Sequence, residues 1–185
     1  MAKKPKLPVM LDLETLSLKA NAAVIDVAFC AATGEGVMHQ WYIRPESYTN
    51  SFEFDVNPET LAFHHNQGTG LLGTAEHYGK SWREVAQLVY EYLTLLGSTY
   101  EVHLWTKGKD ADIPWLSNLL QSAGYKLPWA YKNAHCLRDL GMLFPEVQQT
   151  NWGNHTAARD VEAQILYLKD IAGYSDRAYR FVYGD

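Results

Sequence analysis

The chain has 185 residues, a length that suits one domain with a real hydrophobic core and leaves little room for two. Hydrophobic residues make up 47% and charged residues 20%, and no apolar run approaches the roughly 20 residues that cross a bilayer, so we expect no membrane partner. The net charge of −5 argues against a tight, non-catalytic nucleic-acid binder. It is compatible with an enzyme that gathers carboxylates around divalent cations, because bound cations reverse the local charge.

The N-terminus is basic but lacks the apolar stretch and cleavage site of a secretory signal. We therefore predict a basic tail over residues 1–8, followed by a single domain over residues 9–185. The two cysteines, Cys30 and Cys136, each lie in an apolar segment and form no metal-type pair. Reduced core thiols are expected, which favours a cytoplasmic, intracellular location.

The first half of the chain predicts three strands and then two helices. The strands cover residues 9–13, 22–32 and 37–43, with a tight turn at Gly34 and Gly36 between the last two. A helix begins at Pro58 and continues to about Asn66, and residues 68–79 are predicted to form a glycine-rich loop. Ser81 and Glu84 form a capping box ahead of an apolar helical stripe, which Gly97 is placed to end.

The second half alternates strands with helices. A strand over residues 100–105 precedes a helix over 113–123 with Gly124 as its stop. A fifth strand or extended piece is predicted near 129–134, and the last long helix covers about 156–172. A hairpin run followed by alternating elements is typical of an α/β fold with a mixed sheet and flanking helices.

Asp12 and Glu14 lie in the apolar segment VMLDLET. Alternate residues of a strand face the same side, so both carboxylates project together and Leu11 and Leu13 point to the other side. Acidic residues are depleted in strands, and two on one face repel each other unless a cation joins them. The alternative is that both acids lie at a solvated strand end.

Asp112 is the second acidic candidate. It lies between a strand and a helix, where an Asp is also a favoured helix cap and Pro114 suits a first turn. Taken alone, Asp112 is therefore better explained as a cap than as a ligand, and Asp110 competes with it.

His155 and Asp160 occur in GNHTAARD. Five helical positions separate them by about 140° beyond one turn, so they share a site only if His155 lies outside the helix. We expect residues 153–155 to be non-helical, Thr156 to cap the helix and Asp160 to lie in its early turns. A free imidazole beside a carboxylate is suited to act as a general base near a metal. A lone surface His followed by a surface Asp is the ordinary alternative.

The order of these three acidic motifs resembles the DEDDh branch of the DnaQ-like 3′–5′ exonucleases, which share the ribonuclease H-like fold. The start of the chain, MLDLETLSLKANAAVIDVAF, looks like that of the phage exonuclease A and exonuclease VIII-like nucleases. TLAFHHNQG resembles their T-x-x-W-W-x-x-Q segment, with Phe63 and His64 in place of two Trp. WTKGKDAD is similar to W-x-x-G-x-x-x-D, a register that selects Asp112 over Asp110, and CLRDL resembles an Arg-containing element.

The resemblance implies a two-metal exonuclease that releases nucleoside 5′-monophosphates. Asp12, Glu14, Asp112 and Asp160 would hold two Mg²⁺ or Mn²⁺ ions, and His155 would be the general base. The implied substrate contacts are Thr15, Leu16, Phe63, His64, Lys107 and Arg138. The implied partner is the 3′ end of single-stranded nucleic acid, DNA or RNA, and related enzymes that act alone often form homodimers.

Two other functions stay open at this stage. The fold could serve as a non-catalytic nucleic-acid-binding module, although all five catalytic-type residues are present. It could also be a metal-dependent phosphatase for small phosphoesters, which a short loop over residues 66–80 closing the pocket would favour.

Overall fold

The computed structural model describes residues 3–33, 36–149 and 155–184. Its centre is a five-stranded sheet in the order β3-β2-β1-β4-β5. The strands are β1 (Lys6–Thr15), β2 (Val24–Ala31), β3 (Met38–Tyr42), β4 (Glu101–Thr106) and β5 (Ala134–Cys136). β2 pairs antiparallel with β1 on one side and with β3 on the other, whereas β4 and β5 run parallel to β1. The predicted α/β fold with a mixed five-stranded sheet is confirmed.

In the described part of the chain, seven α-helices flank the sheet: α1 (Pro58–Asn66), α2 (Leu71–Tyr78), α3 (Trp82–Thr99), α4 (Lys109–Ser122), α5 (Leu137–Leu143), α6 (Ala157–Tyr174) and α7 (Asp176–Tyr183). Residues of α2, α3 and α4 join one apolar core, and residues of α5, α6 and α7 join a second core on the opposite face of the sheet. Among the helices of the described residues, none is both long and apolar enough to cross a membrane.

β1 shows how the sequence places the acidic residues. Its odd-numbered residues from Leu7 to Leu13 pack into the first core, whereas Met10 packs into the second. Because side chains alternate along a strand, Asp12 and Glu14 lie on the same side as Met10, which faces α6. Asp26 of β2 lies opposite Glu14 in the antiparallel register, so a third carboxylate joins this face of the sheet.

Several predicted boundaries are corrected by the structure. β1 begins at Lys6, inside the predicted tail, and β5 begins only at Ala134, after a 3-10 turn. α4 begins at Lys109, four positions earlier than predicted, and Pro114 is accommodated within it. Gly97 does not end α3, which continues two residues further to Thr99, because the cost of one glycine in a helix, roughly 0.5–1 kcal/mol, does not by itself stop it. The predicted turn at Gly34 lies outside the described residues.

The predicted loop over residues 68–79 is wrong, because most of it forms α2. Leu71, Leu72 and Ala75 are buried against the sheet, and this burial stabilises a short helix despite its neighbouring glycines. The sequence also gave no prediction for α5 and α7, which are short helices of seven and eight residues. The helix from Pro58 to Asn66, the capping box at Ser81 and the start of the last long helix after Thr156 are confirmed.

Candidate active site

Three carboxylates from the two ends of the chain meet at the face of β1 that is covered by α6. Asp12 and Glu14 come from β1, and Asp160 comes from the first turn of α6. One oxygen of each lies within 4.8 Å of the others, and all three side chains are half-buried. The alternation of side chains along β1 predicted that Asp12 and Glu14 project on the same side. The three carboxylates are close enough for one cation to contact all of them.

Asp112 lies beside this cluster in the first turn of α4. Gly108, not Asp112, is the residue that caps the helix, so the capping explanation does not account for Asp112. Asp112 is buried, and its charge is one of those that raise the pKa of Asp12. Asp110 is exposed, so of the two candidates only Asp112 faces the other carboxylates.

The site concentrates negative charge in a poorly solvated place. Burial, followed by repulsion from Asp160, Asp26 and Asp112, raises the pKa of Glu14 to about 8. Burial likewise raises the pKa of Asp112 to about 7, although Arg138 opposes that shift. Burial also raises the pKa values of Asp12 and Asp160. Each carboxyl group resists ionisation because burial removes the water that would solvate its charge, and neighbouring carboxylates add repulsion at Asp12 and Glu14.

These features fit a divalent cation. Oδ2 of Asp160 is buried and has no hydrogen-bond partner among the described residues, which is costly for a carboxylate oxygen unless a cation contacts it. All four candidate ligands are carboxylates, the hard oxygen donors that Mg²⁺ and Mn²⁺ prefer, and no thiolate lies among them.

Gln164 is a site residue that the sequence analysis missed. Its Nε2 donates a hydrogen bond of 2.8 Å to Oδ1 of Asp12, and its side chain is almost fully buried. Gln164 follows Asp160 by four positions on α6, so the two side chains share one face of the helix. That spacing is the sequence signal that could have found it.

Asp26 is the second missed residue, and it connects the sheet to the start of α6. Its Oδ2 accepts a hydrogen bond of 3.0 Å from the backbone amide of Ala157, the first residue of that helix. Nε2 of Gln40 donates to both of its oxygens, at 2.9 and 3.0 Å. Burial raises the pKa of Asp26 to about 6 despite these hydrogen bonds. Thr156 occupies the N-cap position of the helix, but Asp26 supplies a capping carboxylate from another strand.

His155 lies directly before the N-cap of α6, outside the helix as predicted, whereas residues 153–154 lie outside the described residues. Its φ of 59° places it in the left-handed region, which turns the side chain away from the helical path. The imidazole contacts the ring of Phe63 edge to face, with 5.9 Å between ring centroids. The charge of His155 lowers the pKa of Asp160, an effect that burial of that carboxylate outweighs.

A pocket of about 410 Å³ opens at the end of β1, next to Glu14. Three of the expected substrate contacts, Thr15, Phe63 and His64, line it. Phe63 presents 43% of its surface, whereas His64 is buried and its Nε2 lies 2.9 Å from the carbonyl oxygen of Thr15. His64 therefore fixes the end of the strand and does not offer an open ring face for stacking.

The expectation that Leu16 faces this pocket is corrected. Its side chain is 1% exposed and packs in the core, and its amide and carbonyl form backbone hydrogen bonds of 2.8 and 2.7 Å. Leu18, two residues later, is 83% exposed and lines the pocket together with Trp115. The chain turns inward directly after the strand, which the sequence could not show.

Lys107 and Arg138 line a groove of about 600 Å³ beside the carboxylates, between α5 and α6. Lys107 lowers the pKa of Asp160 and Arg138 lowers that of Asp112, although burial raises both overall. These two cations thus lie at the rim of the acidic cluster.

The chain matches the model of one known protein family over most of its length. The model of the Rv2179c-like domain, described as a 3′–5′ exoribonuclease domain, matches residues 8–172. The chain belongs to this family. The family's description as a 3′–5′ exoribonuclease domain agrees with the predicted 3′–5′ exonuclease family. The comparison with curated proteins finds no match.

Solved structures agree with the fold of this Rv2179c-like domain. E. coli Exonuclease I in complex with an oligonucleotide superposes with a TM-score of 0.69 at 15% identity, over 95% of this chain and 42% of that one. S. pombe Pop2p in its Mg²⁺- and Mn²⁺-bound form gives 0.60 at 12% identity, over 96% and 88%. The nuclease domain of 3′hExo, a DEDDh family member bound to rAMP, gives 0.59 at 18% identity, over 87% and 90%. The chain thus spans less than half the length of Exonuclease I.

Proposed function

We propose that this Rv2179c-like domain hydrolyses single-stranded RNA from its 3′ end and releases nucleoside 5′-monophosphates. The observation that carries the proposal is the cluster of Asp12, Glu14 and Asp160, with Asp112 beside it and one buried oxygen of Asp160 without a partner. RNA is favoured over DNA by the family's description as an exoribonuclease domain. Exonuclease I shares the fold and holds a DNA oligonucleotide, so DNA is the comparison that the assay must include.

Two divalent cations are proposed at this cluster. Asp12, Glu14 and Asp160 would hold one, and Asp12 with Asp112 would hold the other. Such ions, when bound, neutralise charge on the phosphate and lower the pKa of water. The chain's own contribution is to fix the four carboxylates on rigid elements, with Gln164 holding Asp12 in one orientation through its hydrogen bond.

His155 is proposed as the general base. Its imidazole is free of the helix and lies close enough to Asp160 to affect that carboxylate's pKa, so it can accept a proton from a water molecule at the cluster. Phe63 shares an edge-to-face contact with this imidazole and also lines the pocket at the end of β1. A terminal base packed against Phe63 would therefore bring its phosphate toward both His155 and Glu14.

The structure offers little support for a phosphatase. A phosphatase was favoured by a short loop closing the pocket over residues 66–80, but α2 occupies most of that segment and packs into the core. The pocket wall contains no residue of that segment within the described part of the chain. An open pocket suits the end of a polymer better than a small phosphoester. The single domain over residues 9–185, the homodimer and the cytoplasmic location stay predictions.

The test uses matched single-stranded RNA and DNA of one sequence, with Mg²⁺, Mn²⁺ or a chelator. We expect stepwise shortening of the RNA with either metal, no activity with the chelator, and resistance of RNA that carries a 3′-phosphate. Asp12→Asn is expected to abolish turnover in a folded protein, and Asp110→Asn, a matched change at an exposed acid, to retain it. A folded Asp12→Asn protein with wild-type rate would contradict the proposal, as would hydrolysis of 4-nitrophenyl phosphate in place of RNA.

A further inference from the structure

A second basic surface lies at the other end of β1 from the carboxylates. A cavity of about 490 Å³ opens there between β1, α5 and α7. Its wall combines the apolar side chains of Leu140, Leu143, Phe144 and Phe181 with three cations, Lys6, Arg177 and Arg180. No acidic residue lines it within the described part of the chain. Such a concentration of positive charge is notable in a protein whose net charge is −5.

The helix α7 presents these groups outward. Ala178 and Val182 are buried against the rest of the protein, whereas Arg177, Arg180 and Phe181 are exposed and follow one another at i, i+3 and i+4. Across residues 3–33, 36–149 and 155–184, the ion pairs do not include either arginine. Structural ion pairing therefore does not account for the two guanidinium groups.

This surface extends along α5 toward the groove beside the active site. A smaller cavity of about 200 Å³ shares Leu140, Leu143 and Phe181 with it and extends to Lys109. Lys109 is two residues from Lys107, which lines the groove beside the carboxylates together with Arg138. We call this surface the α5 track, with Lys107, Lys109 and Arg138 at its near end and Lys6, Arg177 and Arg180 at its far end. One acid, Asp139, lines it among the described residues.

We propose that the α5 track binds the upstream part of the single-stranded substrate, with phosphates at the far-end cations and a base against Phe181. The inference rests on the proposed function, because it takes the 3′ end to lie at the carboxylates. Cations that follow a backbone, interleaved with an aromatic face, are the features with which proteins hold single strands without reading their sequence. Anionic partners of other kinds would not need a path that leads to the catalytic carboxylates.

The length of the path sets the size of substrate that should use it. Six residues of β1 separate Lys6 from Asp12, or about 20 Å at ~3.3 Å per residue. A stacked strand has one phosphate per about 3.4 Å, so the far end lies about six nucleotides from the 3′ end. Strands of about 12 nucleotides reach it, and strands of about four do not.

The experiment compares Arg177→Glu/Arg180→Glu with Lys80→Glu/Lys126→Glu, a charge-matched control at exposed lysines outside the track. For the long RNA we expect the first variant to raise KM about tenfold or more at unchanged kcat. Its KM for the short RNA should equal that of wild type, and the control should match wild type on both. In a chelator, the affinity for a 5′-labelled long RNA should fall in the same variant. The slope of the logarithm of the binding constant against the logarithm of the salt concentration should be about 1.4 smaller in magnitude, as expected for two lost phosphate contacts.

Equal KM values for the long RNA in the Arg177→Glu/Arg180→Glu variant and the control would refute the proposed binding of RNA to the α5 track. An increase in KM for the short RNA as large as that for the long RNA would also refute it. A variant that retains its affinity for RNA but loses binding to phosphatidylserine vesicles would reassign the surface to a membrane and also overturn the proposal. Failure of the wild type to hydrolyse any strand would remove the proposed function. The binding measurement in chelator would still decide the track, so the two failures are distinguishable.

Discussion

Glu14 should destabilise the metal-free fold, and replacing it by Gln should therefore stabilise the protein. The unfolded chain ionises this carboxyl above its ordinary pKa of 4.5, whereas the folded chain ionises it only above about 8. Between these values the folded state binds the extra proton, so stability falls by ~1.4 kcal/mol per pH unit as the pH rises. The destabilisation is absent below the lower pKa and complete above the higher one.

The size of the effect follows from the same two values. The full difference corresponds to about 5 kcal/mol, and solvent at this half-buried carboxylate reduces it to about 2–3 kcal/mol. For a domain of this size the gain corresponds to a rise in Tm of about 5–10 °C. Gln retains the shape of the side chain and removes its charge, so packing should change little.

The measurement is thermal unfolding followed by circular dichroism in a chelator, across the window between the two pKa values. We expect Glu14→Gln to unfold at a higher temperature than wild type at the alkaline end and at the same temperature at the acid end. Glu76→Gln, a change at an exposed acid of α2, should match wild type throughout. Added Mg²⁺ should stabilise wild type more than Glu14→Gln. If Glu14→Gln is no more stable than Glu76→Gln at the alkaline end, the electrostatic reasoning is refuted.

Three further predictions follow from the site and the sheet. His155→Ala should lower kcat by roughly 10²–10⁴, measured on RNA across neutral pH, and an unchanged rate would remove its role as base. Gln164→Leu removes the donor to Asp12 and should weaken Mg²⁺ activation by about 10–100-fold, seen as a shifted metal titration; an unshifted titration would show that Asp12 needs no such support. Burial lowers the pKa of His135 to about 4, so this residue costs stability as the pH falls from 6.5 toward 4, and His135→Gln should show a smaller loss in acid unfolding.

The sequence predicted those parts of the fold whose signal is local. The alternation of β1 placed Asp12 and Glu14 on one face, and the spacing of Ser81 and Glu84 placed the start of α3. α2 was missed because its glycines suggest a loop, and only burial of Leu71 and Leu72 against the sheet stabilises a helix there. That burial depends on tertiary packing, and local sequence patterns do not predict tertiary packing.

In the candidate site too, some residues could not be assigned from local sequence signals. The choice of Asp112 over Asp110 needed the resemblance to a family, because both are acids at the start of one helix. In the sequence, Asp26 is a single acid in an apolar strand. Only the pairing of β1 with β2 shows that it lies opposite Glu14, and only the packing of α6 shows that it accepts a hydrogen bond from Ala157. The resemblance implied Leu16 as a substrate contact, but the backbone turns its side chain into the core, and Leu18 lines the pocket.

The hydrogen bond between Asp12 and Gln164 joins residues that are 152 positions apart. A ribosome makes β1 before α6, and it adds about 5–20 residues per second during the interval between them. During most of that interval a growing chain holds only Asp12 and Glu14, and then Asp112, without the helix that supplies Asp160. The order of synthesis therefore separates the two halves of the acidic cluster in time, and the cluster is complete only after α6 has been made and has docked against β1.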